Sequence, residues 1–286
     1  MRYKTIIAAV LVLALLLCGC TSRDVIDPYE GMVQVESGFG HKMWVTLHEN
    51  VPANPMTAED FADGKYTGGD YIVQSGIDVS EHQGEIDWKA VADDGIDFAI
   101  IRAGYRGYSE GGLFVDDYFY DNMDGALAEG LDVGVYFFSQ AISAEEAVAE
   151  ADFLVDEMLS RYSADSFTLP VFYDWESITT DNARTDGLGG EVITECALAF
   201  CARLQERGYT PGVYAYRNLG YFSYDLPRMT HLTWWIAALN DYPDFYYSHD
   251  FWQHSITGSV AGIDGDVDRN MMFTPVEKAS ATDVAA

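Results

Sequence analysis

From residue 76 onward, short apolar runs alternate with longer segments whose apolar residues recur at helical spacing. Most of the short runs are continuously apolar, which is typical of strands buried on both faces of a parallel sheet. Five are followed by a helical or helix-like segment, and three more follow one another with little helix between them. We therefore predict eight strands, at residues 76–80, 98–104, 133–139, 170–176, 211–216, 234–239, 251–255 and 266–270.

A helical or helix-like segment follows each of the first five predicted strands. These segments are predicted at residues 88–95, 116–130, 144–162 and 189–209, with a weaker segment that is broken at Pro227. About 200 residues of such βα repeats predict an α/β fold, a barrel of the triosephosphate-isomerase type with a degenerate last third. The alternative is an open doubly wound sheet. As a nucleotide binder it would need a glycine-rich phosphate turn after a strand, and the sequence contains none.

Two acidic residues stand at the end of the fourth predicted strand, in the segment FYDWES. Asp174 and Glu176 are two residues apart, so on a strand they project from the same face. Like charges that close resist ionising together, and the pKa of one is raised, as in a general acid beside an anionic partner. For such a pair in isolation, a solvated strand end is the alternative interpretation.

Further acids lie near the ends of other predicted strands, Asp78 on the first and Asp268 on the eighth. In barrels of this type the reactive side chains gather at the carboxyl ends of the strands. The first and eighth strands are neighbours in a closed barrel, and the fourth lies across its opening. We therefore expect Asp78, Asp174, Glu176 and Asp268 to converge on one site.

Eight segments, in this order and spacing, resemble the muramidases of glycoside hydrolase family 25: GIDVSEHQGEIDW, FAIIRAGYRG, VGVYFFSQA, LPVFYDWES, PGVYAYRN, WWIA, FWQHS and DVDRN. The resemblance covers about residues 75–273. It implies a barrel of the (β/α)5(β)3 type that hydrolyses the β-1,4 bond between N-acetylmuramic acid and N-acetylglucosamine in peptidoglycan. By motif position, it implies that Glu176 is the proton donor and that Asp174, Asp78 and Asp268 are the other active-site carboxylates.

In that reaction Glu176 is expected to protonate the departing oxygen, with its pKa raised by an Asp174 that stays anionic. The 2-acetamido group of the substrate can act as the nucleophile, oriented by Asp174; an inverting attack by water is the alternative. Asp78 and Asp268 are expected to position substrate or water and to tune the charge of the pair. Their alternative role is structural, as acceptors for the backbone amides of loops.

Sugars stack their apolar faces on aromatic rings, and hydrogen bonds fix their register. Candidates for such contacts at the predicted strand ends are Tyr105, Tyr136, Tyr214, Tyr216, Trp252 and Gln253. Arg102, on the second predicted strand, is a further candidate, although for this cation a pairing with one of the acids is favoured over contact with sugar.

The first residues are typical of an export signal. Arg2 and Lys4 precede an apolar run from Ile6 to Leu17, which is too short to span a bilayer comfortably. The run ends in LCGC, which resembles a bacterial lipoprotein signal with Cys20 as the lipidated residue. We expect residues 1–19 to be removed and the lipid to hold the protein at the outer face of a bacterial membrane. An ordinary secretory signal is the alternative.

The charge of the chain restricts its partners. It has 46 acidic and 16 basic residues, a net charge of −30, which argues against binding nucleic acid or anionic lipid surfaces. The hydrophobic content of 49% indicates a folded protein with a substantial core. The expected partners are peptidoglycan and, through the lipid, a membrane, and the protein is expected to be a monomer.

The remaining cysteines, Cys196 and Cys201, fall in the predicted helix at 189–209. Five residues of helix separate their α-carbons by about 8 to 9 Å, beyond disulfide reach, so both are predicted to be small core residues. No Cys/His cluster in the sequence has the spacing of a metal site. Neither a metal nor another cofactor is expected.

Four regions follow from these patterns: the signal at 1–19, a linker at 20–74, the catalytic barrel at 75–275 and a tail at 276–286. Within the linker, MVQVES and HKMWVTLHE could form a small hairpin against the barrel, or the whole segment could be a spacer from the membrane. Two other functions stay open. One is a lipoprotein that binds glycan without cutting it, and the other is chitinase-like action on N-acetylglucosamine polymers.

Overall fold

A computed structural model describes residues 27–37, 41–180 and 182–277. The expected signal peptide, the lipidation site at Cys20 and most of the expected tail lie outside these residues. Across the described ranges, no helix combines the length and apolar character needed to cross a bilayer. The strands are β1 (Met32–Glu36), β2 (Lys42–Thr46), β3 (Phe61–Ala62), β4 (Lys65–Tyr66), β5 (Tyr71–Val79), β6 (Phe98–Arg106), β7 (Leu113–Val115), β8 (Asp132–Ser139), β9 (Val171–Trp175), β10 (Pro211–Tyr216), β11 (Thr233–Ala237), β12 (Phe251–Gly258) and β13 (Val267–Pro275).

Eight of these strands close into a barrel, in the order β5, β6, β8, β9, β10, β11, β12 and β13, with β13 pairing back to β5. The predicted α/β barrel is confirmed. Neighbouring strands are parallel from β5 to β12, whereas β13 runs antiparallel to both β12 and β5. Three short strands were missed by the sequence pattern: β3 and β4, which pair with each other, and β7, which pairs antiparallel with the end of β6.

Helices cover the first part of the barrel. They are α1 (Trp88–Asp93), α2 (Phe119–Ala128), α3 (Ala144–Phe153), α4 (Gly190–Glu206) and α5 (Arg217–Phe222). The helix predicted at 144–162 is shorter than expected: α3 ends at Phe153 and a wider π turn, Leu154–Met158, follows it. Leu154, Val155 and Met158 in this turn are buried, as are Ala147 and Ala151 of α3. Cys196 and Cys201 are buried on α4 and unbonded.

The interior of the barrel is filled by alternate residues of its strands. Phe98, Phe172 and Phe251 form its fully or nearly fully buried lower layer, with the ring of Phe172 edge-on to that of Phe251 at 5.3 Å. Above them, Trp235 lies edge-on to Phe172 at 5.3 Å and to Tyr214 at 4.6 Å. These aromatic rings close the barrel from below and leave a cavity at the carboxyl ends of its parallel strands.

The last three strands have no helices of their own, and residues 27–37 and 41–70 pack against this part of the barrel. β1 and β2 form an antiparallel hairpin. Ala53 makes a β-bridge to Tyr247, and the Phe61 ring lies edge-on to Trp252 with centroids 5.5 Å apart. Val35 and Val45 belong to the buried hydrophobic cluster that lies around the outside of the barrel. These contacts are those of a covering layer and not of a free spacer.

Candidate active site

A cavity of about 540 Å³ opens at the carboxyl ends of the parallel barrel strands, and we call it the mouth cavity. All four carboxyl groups singled out in the sequence lie in its wall. It is lined by Asp78, Glu81, His82, Arg102, Tyr105, Arg106, Tyr108, Tyr136, Phe138, Asp174, Glu176, Ile178, Tyr214, Trp235, Gln253 and Asp268. The closed barrel therefore brings together acids that are up to 190 residues apart in the chain.

Asp268 reaches the mouth cavity for a different reason from the other acids. It is the second residue of β13, so it stands near the start of its strand and not near the carboxyl end, as the sequence pattern suggested. Because β13 runs antiparallel to β5, its first residues lie beside the last residues of β5. Asp268 and Asp78 are direct register partners there.

A hydrogen-bond network surrounds Asp78 and Asp268. The side-chain amide of Gln253 donates to Oδ2 of Asp78 at 2.9 Å and to Oδ2 of Asp268 at 3.1 Å. The amide of Asn270 also donates to Oδ2 of Asp78, at 2.7 Å. An aromatic side chain fixes each of these two amides. The Tyr214 hydroxyl donates to the amide oxygen of Gln253, and the Trp235 indole N–H donates to the amide oxygen of Asn270. Gln253, a candidate for substrate contact, is thus engaged with the carboxyl groups.

Burial and mutual repulsion keep protons on this pair. Burial, then the neighbouring Asp268, raise the pKa of Asp78 to about 8, and the bonds from Asn270 and Gln253 oppose the rise. Burial also raises the pKa of Asp268. The two carboxyl groups therefore behave as a coupled unit that is not fully ionised at neutral pH.

Asp174 and Glu176 extend from the inner face of β9, in line with Phe172. Asp174 is buried, and no group in the described part of the chain hydrogen-bonds to its Oδ1 atom. Burial, Glu176 and Asp78 raise the pKa of Asp174 well above its usual range. The pKa of Glu176 is raised by burial and then by Asp268.

These shifts differ from the expectation in two respects. Asp268, and not Asp174, is the charge that raises the pKa of Glu176. The pKa of Asp174 is also raised, because the residue is deeply buried beside Glu176 and Asp78, which opposes the anionic Asp174 that was expected. All four carboxyl groups therefore have pKa values above their usual range, and Glu176 is more accessible than Asp174.

The backbone of Glu176 is fixed by a residue that the sequence did not single out. Gln140 is fully buried just after β8, and its amide donates to the Glu176 carbonyl oxygen at 2.9 Å. The hydroxyl of Thr185 donates to the amide oxygen of Gln140 at 2.9 Å, which fixes the orientation of the amide. The loop after β9 is thus tied to β8 directly beneath Glu176.

Only some of the expected aromatic contacts line the mouth cavity. Tyr105, Tyr136 and Tyr214 line the mouth cavity. Tyr216 does not line it; this half-buried residue places its hydroxyl 3.3 Å from that of Ser177. The interpretation of Trp252 was wrong: its neighbours Phe251 and Gln253 face inward, so its own ring points out of the barrel. It is 1% exposed, and its N–H donates to the carbonyl of Ala238.

Arg102 lines the mouth cavity as an ion-paired residue. Its Nε lies 2.7 Å from Oδ2 of Asp116, and a terminal nitrogen lies 3.0 Å from Oε1 of Glu81. The guanidinium group also lies 5.3 Å from the ring centroid of Tyr105. The favoured interpretation, an ion pair, agrees with this position, but the partners are two acids outside the four expected ones.

Trp235 was not recognised as a cavity residue from the sequence. It is the parallel register partner of Tyr214, with ring centroids 4.6 Å apart, and it lines the same cavity. The signal that could have found it is alternation, because only one of the adjacent Trp234 and Trp235 can face the barrel interior. Tyr108, another lining residue, lies in a turn that no strand pattern covers.

Comparison with known proteins places this geometry in context. The family model for glycosyl hydrolases family 25 matches residues 77–263. Lysozyme M1 of Streptomyces globisporus is 32% identical over 203 residues, which are 68% of this chain and 66% of that protein. The crystal structure of the bacterial lysozyme from Streptomyces coelicolor is similar with a TM-score of 0.58 and 28% identity, over 72% of this chain and 94% of that one.

A third similarity concerns the fold alone. The modular autolysin LytC from Streptococcus pneumoniae, solved in complex with a synthetic peptidoglycan ligand, is 24% identical with a TM-score of 0.59. It covers 86% of this chain, whereas this chain covers 57% of the autolysin. The present chain thus spans about two thirds of the Streptomyces globisporus lysozyme and somewhat more than half of the autolysin.

Proposed function

The chain belongs to family 25 of the glycosyl hydrolases, and on this premise we propose that it is a muramidase acting on peptidoglycan. The bond cleaved is the β-1,4 linkage between N-acetylmuramic acid and N-acetylglucosamine. The observation that carries the proposal is the presence of Asp78, Asp174, Glu176 and Asp268 in the wall of one cavity. Aromatic rings and a few fixed polar groups beside those acids suit a sugar chain.

Glu176 is the proton donor in this proposal. Cleavage requires a proton on the departing oxygen, and the donor must keep that proton near neutral pH. Burial and the neighbouring Asp268 raise the pKa of Glu176 in the direction required. Of the two β9 carboxyl groups, that of Glu176 is also the more accessible to a substrate.

Asp174 orients the 2-acetamido group of the sugar on the muramic acid side. The acetamido oxygen attacks the anomeric carbon as Glu176 protonates the leaving oxygen, and an oxazolinium-like intermediate forms. Water, deprotonated by the Glu176 carboxylate, then attacks the same carbon and reopens the ring with net retention. The buried Oδ1 of Asp174 supports this role, because an acetamido N–H would supply the hydrogen bond that it lacks within the described structure.

Asp78 and Asp268 tune the charge of the cleft. Their shared protons and the bonds from Gln253 and Asn270 let the pair take up or release charge as Glu176 and Asp174 change ionisation. Stacking contacts to the sugar come from the half-buried Tyr105 and Tyr136. The buried Tyr214 and Trp235 form the floor of the cavity and hold the amides of Gln253 and Asn270.

We further propose export and lipid attachment at Cys20, on the strength of the LCGC motif. A lipid anchor would hold the enzyme close to its polymer, which raises the local substrate concentration without a separate wall-binding module. Residues 27–37 and 41–70, which pack against the barrel, would belong to the catalytic unit and not to a spacer. Mass spectrometry of the membrane fraction would test this: a diacylglyceryl-modified Cys20 supports the anchor, and an unmodified N-terminus elsewhere refutes it.

The activity is tested with the purified protein and peptidoglycan, scored for new reducing ends, beside Glu176→Gln. We expect release by the wild type and a loss of about 10²-fold or more in the variant, the range for removal of a general acid. Glu191→Gln, on the exposed start of α4, is the matched control and should be unchanged. Undiminished release by Glu176→Gln would refute its role as the donor.

The identity of the products separates the remaining functions. Mass and anomeric form of the early products report the bond and the stereochemistry together. Muramic acid at the new reducing end with retained configuration supports the substrate-assisted route, and inversion refutes it. Binding without release would indicate a glycan-binding protein, and a preference for N-acetylglucosamine oligomers would indicate chitinase-like action.

A further inference from the structure

Two aromatic rings stand half-exposed on the hairpin formed by β6 and β7, at the rim of the mouth cavity. Tyr108 and Phe114 each have 49% of their surface exposed. We propose that these residues form a sugar-stacking platform that extends glycan binding beyond the cavity and favours long strands over short ones. The proposal rests on the proposed function, because it assigns the platform to the same polymer.

The platform is continuous with the catalytic site. Tyr108 and Tyr105 both line the mouth cavity. The Phe114 ring stacks on that of Tyr105, with centroids 5.3 Å apart and an interplanar angle of 26°. On its inner side, Tyr105 lies 5.3 Å from the Arg102 guanidinium group. A series of stacked planar groups therefore leads from the cavity wall to the exposed Phe114 ring.

The hairpin is held rigidly from below. Arg106 is buried, and it donates to the carboxylate of Glu150 at 2.6 Å and to the Gly111 carbonyl at 2.8 Å. Its other terminal nitrogen donates to the Glu146 carbonyl at 3.0 Å. The turn is further fixed by the backbone N–H of Arg184, which donates to the Tyr108 carbonyl at 2.8 Å. Rings fixed before binding lose little conformational freedom when a ligand stacks on them.

Two glycines leave room for the Phe114 ring to lie close to the hairpin backbone. A Cβ atom at Gly112 would lie 3.1 Å from two carbons of that ring, and one at Gly107 would lie 3.4 Å from it. The ring is thus supported by Tyr105 and by the hairpin, yet half of its surface stays in solvent. The exposed half of the ring is therefore held in a fixed position and is available to a ligand.

A sugar chain fits this surface better than a protein partner does. The apolar area consists of two rings and not of a broad patch, and it continues directly into the glycan-cleaving cavity. Stacking uses the apolar face of a sugar ring and needs no positive charge, which suits a protein of net charge −30. The ligand class is therefore a β-1,4-linked glycan strand long enough to leave the cavity on this side.

The test measures binding of peptide-free glycan strands of two lengths: long strands and a tetrasaccharide of the same repeat. Binding is measured in proteins that also carry Glu176→Gln. We expect Phe114→Ala to weaken binding of long strands by about tenfold and to leave binding of the tetrasaccharide unchanged. Tyr108 also lines the mouth cavity, so Tyr108→Ala should weaken binding of both lengths. Phe114→Trp should retain the affinity for long strands.

Tyr29→Ala is the matched control. Tyr29 is 44% exposed and stacks on Trp44 with centroids 4.1 Å apart, but it does not line the mouth cavity. Its replacement should change neither the affinity for long strands nor that for the tetrasaccharide. Circular dichroism shows whether every variant is folded. Unchanged long-strand binding in Phe114→Ala, or an equal loss for both lengths, would overturn the platform. Failure of the wild type to release reducing ends would instead overturn the proposed function, because the binding comparison does not depend on cleavage.

Discussion

Asp78 and Asp268 face each other on antiparallel β5 and β13, and a single amide, that of Gln253, donates to an oxygen of each. This bond lowers the pKa of Asp78, which burial and Asp268 together raise to about 8. We expect Gln253→Leu to raise the pKa of Asp78 further, because an ionised carboxylate loses a donor in a buried site. Carboxyl carbon chemical shifts of Asp78, followed by NMR during a pH titration, measure this change.

Tyr214→Phe is the control for the Gln253 prediction. It removes the hydroxyl that donates to the Gln253 amide oxygen but leaves both bonds from that amide to the carboxylates. The pKa of Asp78 should therefore rise less in Tyr214→Phe than in Gln253→Leu. A lower pKa in Gln253→Leu, or no change at all, would show that the amide does not stabilise the ionised pair.

The pKa of Asp78 also predicts how stability depends on pH. In the unfolded chain this carboxyl group titrates near 3.8 and in the folded protein at about 8. A raised folded-state pKa means that the native state binds the extra proton, so the stabilising contribution is complete below about pH 4. It is lost progressively as the pH rises to about 8.

Asp78→Asn should therefore stabilise the protein at alkaline pH. The asparagine keeps an oxygen that can accept from Gln253 and Asn270 but carries no charge to bury. The quantity compared is the melting temperature at pH 9 minus that at pH 4. We expect this difference to be larger in the variant than in the wild type, by about 2 to 4 °C for each kcal/mol of unfolding free energy gained at pH 9. The exposed Asp165→Asn is the control. A variant that melts lower than wild type at pH 9 contradicts the prediction.

Gln140 is a positioning residue for the proton donor. Its amide holds the Glu176 carbonyl and is itself oriented by Thr185. We expect Gln140→Ala to lower kcat by about tenfold with little change in KM, since misplacement of a catalytic group affects the transition state more than binding. Thr185→Val should have a smaller effect in the same direction. A rise in KM at constant kcat in Gln140→Ala would indicate a role in substrate binding instead.

The strand pattern was sufficient to predict the barrel and the convergence of its acids. Asp174 and Glu176 could be found because two-residue spacing fixes their common face, and the apolar runs located the eight barrel strands. The direction of β13 could not be read from its sequence, since a short strand carries no sign of orientation. Asp268 was therefore placed correctly at the opening but at the wrong end of its strand.

Positions that depend on packing or on loops could not be predicted in this way. In FWQHS, alternation alone leaves open whether Trp252 or its neighbours face inward. The choice follows from the outer contacts of Trp252 with Phe61 and Phe273. Gln140 and Tyr108 lie in connections after strands, where no periodicity indicates which side chains turn towards the site.

The covering layer formed by residues 27–37 and 41–70 leads to the last prediction. Phe61 lies edge-on to Trp252 and Phe273, with centroids 5.5 and 6.2 Å apart, where no helix covers the barrel strands. Phe61→Ala should lower the free energy of unfolding by about 1 to 3 kcal/mol, since it removes a partly buried ring from an aromatic cluster. Phe222→Ala, at a ring that is 62% exposed, should have little effect. Urea unfolding measures both variants; an unchanged midpoint in Phe61→Ala would mean that the segment is a dispensable spacer, because a covering layer cannot lose its central contact without loss of stability.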